Sequence, residues 1–151
     1  MAELHVRRAT IGDLAALVEL ENAVFAGDRI SERQWRRHLE SLTAEVFVAT
    51  LEHRLLGAVL LFFRRDSRVA RLYSIAVAEG ARGCGVGERL LAKAERAAVR
   101  RANRVLRLEV RRDNRVAQRL YESHGYRLIG EYRAYYQDGE DARRYEKPLA
   151  S

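Results

Sequence analysis

An α/β (α+β) fold, one domain with a mixed sheet flanked by helices, follows from three observations on this chain of 151 residues. Apolar, β-branched-rich runs alternate with segments whose apolar residues recur at helical spacing, in the order β-α-α-β-β-β-α-β-α-β-β. No internal repeat, low-complexity tract or Pro/Ser-rich linker interrupts them, and the one proline, Pro148, stands near the end. The length suits a single domain over 1–151, enough to bury roughly two-thirds of its unfolded surface.

Leu4 to Arg8 reads as the opening strand. Thr10-x-x-Asp13 is a capping arrangement ahead of an amphipathic helix carrying Leu14, Leu17, Val18, Glu21 and Phe25 at helical spacing. Ala26 to Ile30 reads as a mobile connector, after which Ser31-x-x-Gln34 forms a second capping box. That box opens a helix through Trp35, His38 and Leu39, with Trp35 assigned to the core. Glu45–Thr50 and Leu55–Arg64 make a hairpin around Glu52-His53-Arg54. Arg71–Val77 is a further strand, and the helix after it lines up Leu90, Leu91, Ala94, Ala97 and Ala98. Arg104–Arg111 returns as a strand, and a helix from about Asp113 to Ser123 ends at Gly125 in a C-cap. Tyr126–Tyr136 and Ala142–Leu149 close the order around Gln137-Asp138-Gly139-Glu140.

Composition excludes more than it identifies. Hydrophobic residues make up 48% and charged residues 32%, ordinary for a globular protein. No apolar run approaches the ~20 residues needed to cross a bilayer. The first residues lack a basic and apolar leader, so no secretory signal is expected. A single Cys84 forms no internal disulfide and suits a reducing, cytoplasmic setting. The formal charge of +7 comes from 26 Arg and two Lys against 21 acidic residues. The arginines are scattered and not interleaved with aromatics on one stripe, so direct nucleic-acid binding is not expected. His5, His38, His53 and His124 have no metal-like spacing, and no metal is expected.

The stretch from Leu72 to Leu91 runs strand, glycine-rich turn, helix. Consecutive N–H groups followed by the positive end of a helix dipole hold phosphate without a committed side chain. Gly83, Gly85 and Gly87 let the main chain approach a ligand and take dihedrals other residues resist. A dinucleotide fingerprint fails because its third glycine falls on Glu88, and a P-loop fails because Val86-Gly87 follows Gly85. What remains, Arg82-x-x-Gly85-x-Gly87, resembles the pyrophosphate-binding motif of the GCN5-related N-acetyltransferase (GNAT) family, which grips acetyl-CoA. The element order also resembles that family and covers most of the chain, implying a mostly antiparallel central sheet. By this resemblance the pyrophosphate would sit on Arg82, Gly83, Cys84, Gly85, Val86 and Gly87. The pantetheine arm would pair with the main chain of Ile75, Ala76 and Val77. Cys84 reads better as a small residue in a tight loop than as a nucleophile.

A second constellation lies downstream. Strand alternation turns Leu106, Leu108 and Val110 inward and leaves Glu109 on the other face with Arg107 and Arg111. Asn114, Ala117 and Tyr121, at i, i+3 and i+7, share one helix face. A carboxylate and a phenol can thus converge, and they suit amine acylation as base and acid. Glu109 could equally be an ion-pair partner of Arg107 and Arg111, Tyr121 a packed aromatic with its hydroxyl satisfied, and Asn114 a helix cap. The run Glu109-Val-Arg-x-x-Asn114-x-x-Ala117-x-x-Leu120-Tyr121-Glu122-x-x-Gly125-Tyr126 resembles the RimI-like branch of the family, which acetylates protein N-termini. The tail Tyr135-Tyr136-x-Asp138-Gly139-x-Asp141-Ala142 is similar to that branch too. The resemblance implies Glu109 as general base, Tyr121 as general acid and Asn114 beside the CoA arm. Phe25, Tyr132, Tyr135 and Tyr136 would form the acceptor groove. Ala26-Gly27 departs from the branch, which carries Pro-Trp after the Phe.

The expected activity is acetyl transfer from acetyl-CoA to a primary amine, a protein or peptide N-terminal α-amine, by direct attack in a ternary complex. A small-molecule amine acetyltransferase of polyamine or antibiotic type is the alternative within the enzyme class. A non-catalytic acyl-CoA-binding or nucleic-acid-associated module is the alternative outside it.

Overall fold

The computed structural model describes residues 2–150 and shows a seven-stranded sheet in the order β1-β2-β3-β4-β5-β7-β6. The strands are β1 (His5–Arg8), β2 (Ala44–Leu51), β3 (Arg54–Phe62), β4 (Val69–Val77), β5 (Val105–Arg111), β6 (Arg127–Tyr132) and β7 (Ala142–Pro148). Only β4 and β5 run parallel; every other neighbouring pair is antiparallel. Helices α1 (Leu14–Val24) and α2 (Glu32–Glu40) cover one face, and α3 (Val86–Arg100) and α4 (Arg115–Ser123) the other. Each face buries its own cluster. Leu17, Trp35, Val46, Val48 and Leu60 fill one, and Leu90, Leu91, Leu106, Leu108 and Tyr145 fill the other. The one parallel pair is what a helix-carrying crossover requires, α3 lying between β4 and β5 in the chain.

Local chemistry sets the element ends. Ser31 and Gln34 close a reciprocal capping box, Gln34 N donating to Ser31 Oγ at 3.1 Å and Ser31 N to Gln34 Oε1 at 2.9 Å. Asp13 accepts the Thr10 amide at 2.8 Å and pairs with Arg7, but a short 3-10 turn over Ile11–Asp13 precedes α1. Phe25, read as helical, is the extended C-cap of α1. The β2–β3 turn uses Glu52 and His53 at φ 49 and 68, the primed geometry that matches strand twist. Gly125, at φ 90, ends α4 as expected.

Two expectations are corrected. The strand expected to run to Tyr136 stops at Tyr132, because Ala134 turns to φ 48 and its amide bonds Asp141 Oδ1 at 2.9 Å. That turn carries Tyr135 and Tyr136 away from the sheet edge. The connector expected to be mobile is tied at several points. Ile30 is buried and its amide donates to Glu21 Oε2 at 2.8 Å. Arg29 Nη2 donates to Asn22 O at 3.0 Å, and Gln137 N donates to Asp28 Oδ2 at 3.2 Å. No helix among the described residues is long and apolar enough to cross a membrane.

The functional geometry starts where β4 and β5 part. They pair only from Val69↔Val105 to Leu72↔Leu108. Beyond that, β4 continues to Val77 against β3 alone, with Gly57↔Val77 as its last pair. A register shift between Leu60 and Leu61 skips Tyr73, a bulge that bends β4 at the parting point. The main chain from Tyr73 to Val77 is left without a β5 partner.

Candidate active site

The parting strands open into a cleft of about 350 Å³. Its floor comes from Arg71 to Ile75 on β4 and from Glu109 to Arg111 on β5; Asn114, Ala117 and Tyr121 of α4 line one side. Glu21, Phe25, Gly27, Asp28 and Ile30 line the α1–α2 side, and Tyr135 and Tyr136 the β6–β7 side. The Asp28–Gln137 hydrogen bond joins these last two walls. The structure therefore brings together Glu109, Tyr121, Asn114, Ile75, Phe25, Tyr135 and Tyr136. Tyr132 is not in the lining; its ring lies 4.6 Å from the Arg144 guanidinium.

Three tyrosines cluster on the α3/α4 face, with Tyr121 5.6 Å from Tyr126 and 6.4 Å from Tyr145. Tyr126 donates to Glu95 Oε2 and Tyr145 to Glu122 Oε2, each at 2.7 Å. Tyr121 is 3% exposed and lines the cleft, yet none of the side-chain hydrogen bonds among the described residues involves its hydroxyl. A phenol packed only for its ring would be satisfied like its neighbours. Burial, with Tyr136 adding to it, pushes the Tyr121 hydroxyl above its ordinary value and keeps the proton on it.

Glu109 is almost wholly buried, its side chain 5% exposed. Its ion-pair partners are Arg71 and Arg144, the latter through Nε to Oε2 at 2.9 Å. The partners expected from sequence are occupied elsewhere. Arg107 pairs with Glu146, and Arg111 with Asp113 and Asp138. Tyr135 Oη accepts from Arg71 Nη2 at 3.0 Å and lies 3.5 Å from Glu109 Oε1. Arg71 Nε is buried with no partner among the described residues. Sequence alone assigns Arg71, Arg144, Glu21 and Asp28 no place in the site, although all but Arg144 line the cleft and Arg144 bonds Glu109. The available signals were an arginine inside an apolar strand and a glutamate on the apolar stripe of α1.

The glycine loop follows the end of β4 and leads into α3. Gly83 and Gly85 take φ 82 and 78, dihedrals that favour glycine. A Cβ at either would meet nothing, so dihedral and not packing requires them. Among the described residues no side chain caps α3, and its first-turn amides at Val86, Gly87 and Glu88 have no intrahelical partner. The amides of Arg82 and Cys84 instead fold onto the carbonyls of Glu79 and Ala81, at 3.3 Å each. A Cβ at Gly87 would press on Leu120 at 3.4 Å, which keeps α3 and α4 close. An uncapped 15-residue helix behind an open glycine turn fits a pyrophosphate. Asn114 caps α4, its Oδ1 accepting the Ala117 amide at 3.1 Å, and also lines the cleft. Among the described residues no group of three or more His, Cys, Asp and Glu side chains is assembled to hold a metal.

Residues 14–126 match the family described as Acetyltransferase (GNAT) family. The chain is 33% identical over 150 residues to the catalytic subunit of the N-terminal acetyltransferase A complex of Arabidopsis thaliana, covering 95% of this chain and 77% of that protein. It is 30% identical to an N-alpha-acetyltransferase of Sulfurisphaera tokodaii, covering 97% of this chain and 94% of that one. The crystal structure of the ribosomal-protein-S18-alanine N-acetyltransferase from Escherichia coli superposes with a TM-score of 0.88 at 26% identity, over 99% of this chain and 96% of that chain.

Proposed function

We propose, on the premise that this chain belongs to the acetyltransferase (GNAT) family and is an acetyl-CoA-dependent N-acetyltransferase, that its acceptor is the α-amine of a peptide or protein N-terminus. The observation that carries this reading is the meeting of an unpartnered phenol, Tyr121, and a buried carboxylate, Glu109, in a cleft whose two outer walls are bonded to each other. Walls joined in this way favour a chain end over a side chain projecting from the middle of a folded surface. The similar proteins named above carry N-terminal and N-alpha-acetyltransferase descriptions, which agrees with this reading.

The residues then divide the work. Amides at the head of α3, with the loop from Arg82 to Gly87, hold the pyrophosphate, and the Arg82 side chain adds charge. The free edge of β4 at Ile75, Ala76 and Val77 receives the pantetheine arm, with Asn114 alongside. This fixes thioester and amine within attack distance and supplies much of the rate. Phe25, Tyr135 and Tyr136 form the acceptor groove, and Tyr132 supports Arg144 behind Glu109.

An ammonium must lose two protons to become an amide. Glu109, through water, takes the first, and the freed nitrogen attacks the acetyl carbonyl carbon. As the C–S bond breaks, Tyr121 gives its proton to sulfur and is refilled by the second proton from nitrogen. An α-amine, with pKa of about 8, asks less of such a base than lysine at about 10.4.

Thiol release from acetyl-CoA with free-N-terminal peptides, N-blocked lysine peptides, free lysine and polyamines tests the acceptor. Free N-termini are expected to be acetylated fastest. Faster turnover of a polyamine or of an N-blocked peptide would sink the reading. Glu109→Gln is expected to lower kcat/KM by about 10²-fold with acetyl-CoA affinity unchanged in a direct binding measurement.

A further inference from the structure

Glu21 belongs to none of the roles above, yet it lines the same cleft as Glu109 and Tyr121. It sits on α1 and is 3% exposed. Oε2 accepts the Ile30 amide at 2.8 Å, and this is the one hydrogen bond the side chain makes among the described residues, leaving Oε1 for the cleft. Among the described residues no guanidinium bonds it: Arg29, whose charge acts on it, donates instead to the Phe25 and Asn22 carbonyls. Glu109 is the opposite case, with an oxygen committed to each of two arginines. A carboxylate held for its hydrogen bond alone could be a glutamine, which would bond the same amide without the burden of a buried charge.

We propose that Glu21 is a second proton acceptor for the acceptor amine, facing it from the α1 side of the cleft. This deepens the N-acetyltransferase reading and rests on it. The first of the two protons passes from the ammonium nitrogen to Glu21 Oε1 in place of the water route to Glu109, and nitrogen keeps the electron pair with which it attacks the thioester; the second still refills Tyr121. The proton leaves Glu21 to solvent as product departs, and the sulfur still receives its proton from Tyr121.

The surroundings suit the role. Burial raises the Glu21 pKa above its ordinary value, against smaller opposing effects of the Ile30 amide and Arg29. A base with a raised pKa has more driving force to take a proton near neutral pH. The other groups facing this region are Asp28 on the connector, bonded to the Gln137 amide, and Tyr73 and Arg71 on β4. From α2 the inward titratable side chain is His38, stacked on Phe62 at 5.0 Å, and Trp35 is apolar core. From β3, Ala58 and Leu60 are apolar.

Glu21→Gln separates the proposal from a structural role, because glutamine can keep the Ile30 bond. With acetyl-CoA and an accepted amine, kcat/KM of Glu21→Gln is expected to fall roughly tenfold or more near pH 6. The deficit should shrink toward about pH 9, where an α-amine is already neutral. Acetyl-CoA affinity stays as in wild type. A second readout is thermal. A carboxylate with raised folded-state pKa contributes stability below its unfolded pKa that is lost as pH rises through the folded one. Glu21→Gln should therefore gain in melting temperature over wild type as pH rises, whereas Glu21→Ala, which strips the Ile30 amide of its partner, should lose at every pH. A Glu21→Gln profile parallel to wild type at all pH values overturns the proposal. If wild type accepts only non-peptide amines, the acceptor reading falls, and the same profile taken with the accepted amine still decides the role of Glu21.

Discussion

Tyr121→Phe is expected to lower kcat by about 10²–10⁴-fold, the span a positioned acid contributes, while acetyl-CoA affinity and melting temperature stay put. Three observations set this pattern. No side-chain hydrogen bond among the described residues involves the Tyr121 hydroxyl, so its removal orphans nothing. Its ring remains to fill the space against Tyr126 and Tyr145. Burial holds the proton on the oxygen, the form an acid must keep until sulfur departs. The neighbouring tyrosines should behave in the reverse sense. Tyr126→Phe removes a 2.7 Å bond to Glu95 and should cost about 1 kcal/mol of stability with kcat preserved. Single-turnover kinetics alongside thermal melts of both variants check the contrast. Full turnover by Tyr121→Phe would remove the acid role.

Gly57→Ala is expected to be the most damaging single methyl. A Cβ there would lie 2.8 Å from Val86 Cγ1, 2.9 Å from Leu90 Cδ1 and 3.0 Å from the Ala76 carbonyl oxygen. The first two belong to α3 and the third to β4, so neither side can yield without moving an element. Overpacking of this kind costs about 1–3 kcal/mol, and a domain of this size loses roughly 2–4 °C for each. The damage reaches function, because Val86 is the first residue of α3. Displacing it shifts the amides proposed above to hold the pyrophosphate, so acetyl-CoA affinity should fall with stability. Gly80→Ala, whose Cβ meets nothing within 4 Å, is the control and should change stability by no more than about 0.5 kcal/mol. Equal melting temperatures for the two variants would contradict the packing described.

Local chemistry made much of this legible before any coordinates. The Ser31–Gln34 box, the Gly125 cap and the positive-φ glycines at 83 and 85 are decided within a few residues of chain. Strand alternation placed Glu109 on the face opposite Leu108 and Val110, and helical spacing placed Asn114 and Tyr121 together. What sequence could not supply is register. Arg144 pairs with Glu109 because β7 lies antiparallel to β5 with those two residues opposite each other. Arg71 reaches it because β4 runs parallel to β5 before they part. Arg107 and Arg111, nearer in sequence, are claimed by Glu146 and by Asp113 and Asp138. The connector misled for a related reason. Its composition suggests mobility, but its order comes from a carboxylate nine residues upstream and a loop amide more than a hundred residues away.

With acetyl-CoA bound along β4 as proposed above, the parting of β4 from β5 would also make folding and cofactor supply one equilibrium. Main-chain groups from Tyr73 to Val77 lack a β5 partner, and a ligand that bonds them in the native state has nothing comparable to bond in the unfolded chain. Acetyl-CoA at a hundred times its Kd would add about 2.7 kcal/mol to the unfolding free energy. At roughly 2–4 °C per kcal/mol, the melting temperature becomes a gauge of acetyl-CoA concentration that needs no acceptor. Under proteolytic surveillance, the lifetime of this protein would then rise and fall with the acetyl-CoA pool on which it draws.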